Sequence, residues 1–170
     1  LKQHGVDTSG LTKANGKTFR WQGDYLENIN RANTIDTQLN VFGEFDPKLS
    51  KAHTHARFLF LANINPILQT KVLDSMAKRP KLVACDTMNL WIDVARPALT
   101  ELISRVDILM INEDEAKQLT DEQHLPNAAR TIIDLGPDST VIKRGESGVA
   151  LFGNEFSFAA PAYPLDQVID

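Results

Sequence analysis

The sequence predicts an α/β fold in which a mostly parallel sheet is flanked by helices and carries a small antiparallel β appendage. Residues 17–45 place apolar side chains at every second position, which is typical of a β ribbon. After Asp46-Pro47, short apolar runs alternate with amphipathic helical segments. The chain has 170 residues, of which 42% are hydrophobic and 24% charged, enough for one domain with a hydrophobic core.

The ribbon comes first along the chain. Phe19 and Trp21 alternate with polar neighbours, and a second alternating run extends from Ile35 through Leu39 to Val41. Period two places these residues on one face of a strand and the polar residues on the other. We therefore predict a half-buried antiparallel ribbon over 17–45.

The remaining strands and helices follow from the apolar pattern after residue 46. Strands are predicted at 58–62, 82–85, 107–111, 140–143, 149–152 and 155–158. Helices are predicted after Asn65-Pro66 and at about 93–105, 113–119 and 126–135. The side chains expected to face inward are Leu68, Val72 and Met76, then Leu99, Leu102 and Val106, then Ala129, Ile132 and Ile133. This alternation implies a parallel sheet covered on both faces.

Composition narrows the class of protein. A net charge of −4 without a Lys/Arg run argues against a nucleic-acid partner. The apolar runs are too short to span a bilayer. The single cysteine, Cys85, excludes an internal disulfide, is expected in the core, and fits a reducing compartment. We expect a cytoplasmic protein; because the chain begins with Leu, we also expect an incomplete sequence.

Polar residues follow four successive predicted strands. Ligands bind at the carboxyl ends of strands in open parallel sheets, so these residues predict a polar crevice. Asn and Asp also cap helices, which is an equally good account of Asp86 or Asn65 taken singly. The residues are Asn63 and Asn65, then Asp86 and Asn89, then Asn112 and Glu115, then Lys143 with Gly145 and Gly148.

Asn112 and Glu115 are candidates for a magnesium site. They are three residues apart at a helix start, so their side chains leave the first turn in the same direction. A carboxylate and an amide there can hold the hydration shell of Mg²⁺, which takes few protein ligands. The alternative is a capping box, with Asn112 as N-cap and Glu115 completing it.

The turn after Lys143 is a candidate phosphate site. Gly145 and Gly148 allow the backbone to approach a ligand closely and expose N–H groups. The alternative is a tight turn between two strands, which would need both glycines by itself.

Several stretches together resemble the ribokinase/PfkB carbohydrate kinase family. VDILMINEDEAKQL resembles its Asn-x-x-Glu motif, and TVIKRGESGVALF its nucleotide-binding strand and Gly-x-x-Gly turn. LVACDTMNLWI is similar to the strand that ends in an Asp-x-x-Asn motif, and GVDTSGL with the ribbon to the entry into the β lid. PAYPLDQVID resembles the approach to the anion hole, with Asp170 opening that motif.

The resemblance implies a ribokinase-like fold and ATP-dependent phosphoryl transfer to a hydroxyl of a sugar or sugar-like acceptor. Asn112 and Glu115 would organise Mg²⁺ and phosphates, and Lys143, Gly145 and Gly148 would lie along the ATP. No catalytic residue is assigned in this chain, because the family's base is expected beyond Asp170. The chain would then be an inactive piece, with 17–45 as a β lid and with 1–16 and 46–170 as a partial core.

The acceptor site is expected at Asn63, Asp86 and Asn89, with Phe19 or Trp21 as an apolar cover. Amides suit sugar hydroxyls and aromatic rings suit a ring face. Alternatively, the two aromatic residues are buried between lid and core, or between two lids in a homodimer. DTMNLW lacks the arginine that many members carry after the Asn, which weakens the case for a phosphosugar. A nucleoside kinase and a non-catalytic α/β ligand-binding domain are the rival functions.

Overall fold

The computed structural model describes residues 1–24 and 33–165. The chain forms two compact units, an N-terminal unit, Leu1–Ser50, and a C-terminal unit, Lys51–Asp170. The predicted division into a lid at 17–45 and a core at 1–16 and 46–170 stays a prediction. Asp170 and part of the predicted ribbon lie outside the described residues.

The N-terminal unit contains the predicted small antiparallel sheet. Strands β1 (Arg20–Asp24) and β2 (Asn33–Gln38) pair in an antiparallel manner, with Trp21 opposite Thr37. The expected continuation of the strand through Leu39 and Val41 is wrong, because the chain enters a 3-10 helix over Asn40–Glu44. Asn40 has a φ of 49°, a left-handed conformation that ends the extended backbone.

The C-terminal unit is built on a six-stranded sheet with its strands in chain order. Strands β3 to β6 are parallel, and β7 and β8 are antiparallel additions at one edge. The short turn after β6 permits only an antiparallel return, whereas helices connect the parallel strands. The strands are β3 (Phe58–Leu61), β4 (Leu82–Asp86), β5 (Ile108–Asn112), β6 (Ser139–Lys143), β7 (Val149–Gly153) and β8 (Ser157–Ala160).

The helices of this unit are α1 (Pro66–Asp74), α2 (Asn89–Val94), α3 (Arg96–Ile103), α4 (Glu113–Thr120) and α5 (Leu125–Asp134). The single helix predicted at 93–105 is divided between α2 and α3. Ala95 separates them with a φ of −139°, because the proline at position 97 disfavours continuous helix ahead of it. Leu99, Leu102 and Val106 are buried, as predicted.

Two predicted helix faces need correction. In α1 the fully buried residues are Pro66, Gln69 and Leu73. Of the expected row, Val72 is half-buried and packs against the core, and Leu68 and Met76 are only half-buried. In α5 they are Ala128, Ala129 and Ile132, and Ile133 is only half-buried. The buried face of α1 includes Gln69 because its amide donates to the backbone oxygens of Leu61 and Ala62 in the interior. The spacing of apolar residues cannot predict such a buried polar residue.

The hydrophobic core lies on one face of the sheet. Its strand residues pack with the buried faces of the helices; they are Leu61, Val83, Cys85, Leu109, Ile111 and Ile142. The alternate residues of the strands point to the opposite face, where Phe58 is 64% exposed, Phe60 55% and Phe158 60%. The expectation of a sheet covered on both faces is therefore wrong for the described residues. β3 is an edge strand, and an apolar run cannot indicate which faces are covered.

A search of the described residues found no helix long and apolar enough to cross a membrane.

The one-sided core gives a stability test in this 170-residue chain. Leu109→Ala should lower the free energy of unfolding by about 2–5 kcal/mol, because it opens a cavity at a fully buried position. Phe60→Thr should lower it by about 1 kcal/mol or less, because that ring is 55% exposed. Urea denaturation measures both values. Equal losses would mean that the Phe60 face is covered.

Candidate functional site

The carboxyl ends of the central parallel strands bring three predicted site residues to one edge of the sheet. Asn112 pairs with Lys143 across β5 and β6, and Asp86 pairs with Met110 across β4 and β5. Because side chains alternate along a strand, this register places Asp86, Asn112 and Lys143 on the same face. That face is the one opposite the hydrophobic core.

An ion pair crosses this edge. Lys143 Nζ lies 2.9 Å from Asp86 Oδ1, so the lysine reaches over β5 to the end of β4. Asp86 Oδ1 also accepts a hydrogen bond of 3.1 Å from the backbone N–H of Thr87. Both side chains are partly buried, so solvent screens their attraction less than it would on an open surface.

Asn112 and Glu115 form a reciprocal capping box at the start of α4. The Asn112 side-chain oxygen accepts from the Glu115 N–H at 2.8 Å, and Glu115 Oε2 accepts from the Asn112 N–H at 2.9 Å. The capping interpretation is therefore present in the structure. The same two bonds hold the Glu115 carboxylate in a defined orientation, so capping does not exclude a second role.

The charges near Glu115 act in opposite directions. Burial raises the pKa of Glu115, and the backbone N–H of Asn112 and the positive charge of Lys143 partly offset that increase. The negative charge of Asp86 raises the pKa further. Lys143 thus interacts with both carboxylates of the site.

The magnesium prediction can be tested against the donors that these residues offer. Glu115 Oε2 accepts from the Asn112 N–H, and the Asn89 backbone N–H also bonds to this carboxylate. A carboxylate has further lone pairs that can accept from metal-bound water. The Asn112 oxygen is engaged within the capping box, and its amide N–H₂ group can donate to a phosphate. This set fits a hydrated Mg²⁺ held through its waters better than one bound directly by both side chains. Within 1–24 and 33–165, no cluster of three or more His, Cys, Asp or Glu residues could hold a metal ion.

The turn at Gly145 and Gly148 needs glycine for its own backbone conformation. Gly145 and Gly148 have φ values of 53° and 88°. A Cβ at Gly148 would lie 2.0 Å from the backbone oxygen of Ala160, so that glycine is needed for the turn to pass β8. The tight-turn interpretation therefore holds for Gly148, whereas the phosphate-binding role of both glycines stays a prediction.

Sequence reasoning missed an ion-pair cluster beside this turn. Arg144 Nε lies 2.9 Å from Glu113 Oε2, and Lys117 Nζ lies 2.8 Å from Glu113 Oε1. Hydrogen bonds from Arg144 and Lys117 lower the pKa of Glu113. The i,i+4 spacing of Glu113 and Lys117 is a signal that could have been read in the sequence. These pairs connect the turn to the first residue of α4.

The predicted acceptor residues in the C-terminal unit lie at strand ends and helix starts. Asn63 Oδ1 accepts a 2.9 Å hydrogen bond from the indole N–H of Trp91, which links the end of β3 to α2. Asn89 begins α2, and its backbone N–H lowers the pKa of Glu115. Asn65 caps α1 by accepting from the Ile67 N–H at 2.9 Å, as the capping interpretation expected.

The two predicted aromatic residues lie in the N-terminal unit. Phe19 packs edge-on against Phe42, with ring centroids 5.7 Å apart, and Trp21 donates its indole N–H to Thr34 at 3.1 Å. Both are partly exposed. The role of Phe19 and Trp21 as a cover for an acceptor stays a prediction.

Two buried residues near the site, Cys85 and Gln69, differ in their hydrogen bonding and in their roles. Burial raises the pKa of the Cys85 thiol to about 12, which leaves it protonated and consistent with a core role. Gln69 is 1% exposed and donates to the backbone at the ends of β3 and β4. Gln69 interrupts the apolar pattern of α1 in the sequence, and this interruption could have indicated a buried polar residue.

The six-stranded sheet, its flanking helices and the small antiparallel sheet define an α/β protein with the ribokinase-like fold. The sequence profile of pfkB family carbohydrate kinases matches residues 1–170, so the chain belongs to this family.

Known proteins and solved structures are similar to this chain at low sequence identity. A cytidine kinase from Thermococcus kodakarensis is 28% identical over 173 residues, which is 97% of this chain and 60% of the relative. The crystal structure of a PfkB protein from Polaromonas sp. JS666 aligns with a TM-score of 0.67 and 20% identity, over 88% of this chain and 55% of the other. Ribokinase II from E. coli, in complex with ATP and Mg²⁺, aligns with a TM-score of 0.64 and 14% identity, over 83% and 50%. The chain therefore spans about half to three fifths of the length of these relatives.

The glycine turn gives a test that separates its two glycines. Gly148→Ala should lower the free energy of unfolding by more than about 2 kcal/mol, because the new Cβ would overlap the backbone of β8 and force it to move. Gly145→Ala should cost about 1–2 kcal/mol, the penalty for a left-handed residue. Thermal unfolding of both variants measures the difference. A Gly148→Ala variant as stable as Gly145→Ala would refute this account of the turn.

Proposed function

We propose that the full-length protein is an ATP-dependent kinase that phosphorylates a hydroxyl of a sugar or sugar-like acceptor. The observation that carries this proposal is the arrangement of Lys143, Asp86 and Glu115 at the carboxyl edge of the sheet. Membership of the carbohydrate kinase family supports the reaction type. The complex of E. coli Ribokinase II with ATP and Mg²⁺ supports the choice of cofactors.

On the nucleotide side, Lys143 provides a positive charge and the turn at Gly145 and Gly148 provides backbone close to a phosphate. Glu115 and Asn112 would hold magnesium and its waters near that phosphate. Bound ATP supplies the phosphoryl group, and Mg²⁺ neutralises part of its charge. The protein residues contribute position and electrostatic stabilisation, which dominate catalysis of this reaction.

On the acceptor side, Asn63, Asn89 and Asp86 provide amide and carboxylate groups for hydroxyls. The Asp86 carboxylate faces Lys143 at 2.9 Å and gives the acceptor side a negative charge. A phosphorylated acceptor would need a cation in that place, so this arrangement argues against one.

A nucleoside kinase is the second candidate function, favoured by the cytidine kinase among the relatives. A panel of sugars and nucleosides assayed with ATP and Mg²⁺ in the full-length protein decides between the two. Failure to phosphorylate any of them, with binding retained, would favour a non-catalytic binding protein.

We also propose a cytoplasmic location and a homodimer that forms through the antiparallel ribbon. The observation behind the homodimer is the exposed apolar surface at Phe19, Trp21 and Ile35. Sedimentation of the full-length protein with and without Trp21→Ser tests the interface.

Glu115→Gln tests the magnesium role. Gln keeps an oxygen that can accept from the Asn112 N–H, so the cap is preserved while the charge is removed. We expect kcat to fall about 10- to 100-fold, as on loss of a residue that holds a metal through its waters, with little change in the acceptor KM. Steady-state kinetics at several Mg²⁺ concentrations measure both values.

Asp114→Asn is the matched control, because it removes an exposed charge from the same helical turn. It should leave kcat close to that of the wild type. Glu115→Gln with an unchanged kcat would reduce Glu115 to a capping residue.

Asn63→Ala tests the acceptor site. We expect acceptor binding to weaken by about 1–3 kcal/mol, the cost of leaving polar groups unpaired, with ATP binding nearly unchanged. Calorimetric titration measures both affinities. Trp91→Phe is the control, because it removes the indole donor and leaves the Asn63 amide in place. An equal loss of acceptor affinity in both variants would assign Asn63 to the Trp91 contact alone.

A further inference from the structure

Gln69 is the most deeply buried polar side chain beside the site. It lies on α1, is 1% exposed, and belongs to none of the motifs of the sequence. Burying an amide is unfavourable unless hydrogen bonds replace the lost contacts with water. The bonds that Gln69 makes therefore indicate why it is there.

The Gln69 amide nitrogen joins the ends of two strands. Gln69 Nε2 lies 3.0 Å from each of three backbone oxygens, those of Leu61, Ala62 and Asp86. The parallel ladder between β3 and β4 ends at the pair Leu61 and Cys85. Gln69 thus continues the connection between the strands one residue past the last ladder pair.

The oxygen of the Gln69 amide does not take part in connecting the two strands. Gln69 Oε1 is buried and has no hydrogen-bond partner among the described residues. A buried acceptor without a partner destabilises the fold, so an apolar side chain of similar size would serve a purely packing function better. The presence of an amide at position 69 is therefore explained by the three backbone oxygens to which its nitrogen donates.

The backbone that Gln69 holds carries two residues of the proposed site. Ala62 directly precedes Asn63, whose side chain is bonded to Trp91. The Asp86 carbonyl belongs to the residue whose carboxylate faces Lys143 at 2.9 Å. One nitrogen therefore sets the distance between the backbone next to Asn63 and the backbone of Asp86, two residues of the proposed acceptor side.

We propose that Gln69 is a positioning residue, which aligns Asn63 with the Asp86–Lys143 pair by holding the carboxyl ends of β3 and β4 together. This inference rests on the proposed kinase function. It also makes a structural claim, that Gln69 keeps Asp86 in contact with Lys143, which can be tested without any activity.

The variant that tests the proposal is Gln69→Met in the full-length protein. Met has a similar size and shape but no donor, so the packing of α1 is kept while the connection is lost. The matched control is Thr140→Val, which removes another buried hydrogen bond of the sheet, from Thr140 Oγ1 to the Leu109 oxygen at 3.2 Å, away from the carboxyl edge. Thermal unfolding of both variants gives the purely structural loss.

The first readout is chemical and does not depend on activity. Lysine reactivity toward a small acylating reagent, followed by mass spectrometry, reports how firmly each ammonium group is held. In Gln69→Met we expect Lys143 to react about threefold faster, as its contact with Asp86 loosens, whereas Thr140→Val should leave its rate unchanged. Lys117, paired with Glu113, serves as the internal standard. An unchanged Lys143 rate in Gln69→Met would overturn the proposal, whatever the protein catalyses.

The second readout is kinetic. We expect Gln69→Met to lower kcat/KM for the acceptor about tenfold, equivalent to about 1.4 kcal/mol, and Thr140→Val to leave it close to that of the wild type. In an Asn63→Ala background, Gln69→Met should lower kcat/KM by a smaller factor. Gln69 is proposed to act by aligning Asn63 with the acceptor, and that contact is already lost in Asn63→Ala. Equal losses in Gln69→Met and Thr140→Val, or full additivity with Asn63→Ala, would overturn the positioning role. If no acceptor is phosphorylated even by the wild type, the kinase function fails, and the Lys143 rate still decides the structural claim.

Discussion

The parallel pairing of β4, β5 and β6 is the constraint on which the site depends. Parallel strands end at the same edge of a sheet, and the observed register adds that Asp86, Asn112 and Lys143 share one face. Helices α1 to α5 connect or flank these strands and contribute their buried residues to a core on the opposite face. The three polar side chains therefore lie on the face of the sheet that is opposite this core.

The same strand pairing also brings Lys143 close to the carboxylates of the site. Lys143 pairs with Asp86 and also offsets the effect of burial on the pKa of Glu115, so one cation serves two carboxylates. In the capping box, the Glu115 carboxylate accepts from the backbone N–H of Asn112, the residue before α4. In this site, helix capping and metal binding can use different lone pairs of the same carboxylate, so the two interpretations of Asn112 and Glu115 are compatible.

Particular elements show where sequence reasoning succeeded and where it failed. The strands at 82–85 and 140–143 were predicted to within a residue because β-branched and other apolar runs flanked by polar turns have few alternatives. The helix predicted at 93–105 is broken at Ala95, because apolar periodicity continued through a proline that the backbone could not accommodate in one helix. The exposed face at Phe58 and Phe60 was missed because two apolar faces look alike in a sequence, whether or not both are covered.

The amino-acid sequence alone was enough to predict the class of fold, the family resemblance and the candidate residues at the strand ends, because these depend on local periodicity and on short motifs. It left open whether Asn112 and Glu115 form a cap, which strand lies at the edge, and what Asn63 contacts. The tertiary structure decided these points, since each depends on residues far apart in the chain. Asp86 and Lys143 are 57 residues apart, and Gln69 and Asp86 are 17 apart. Such contacts exist only after the strands have paired, and no local pattern specifies them.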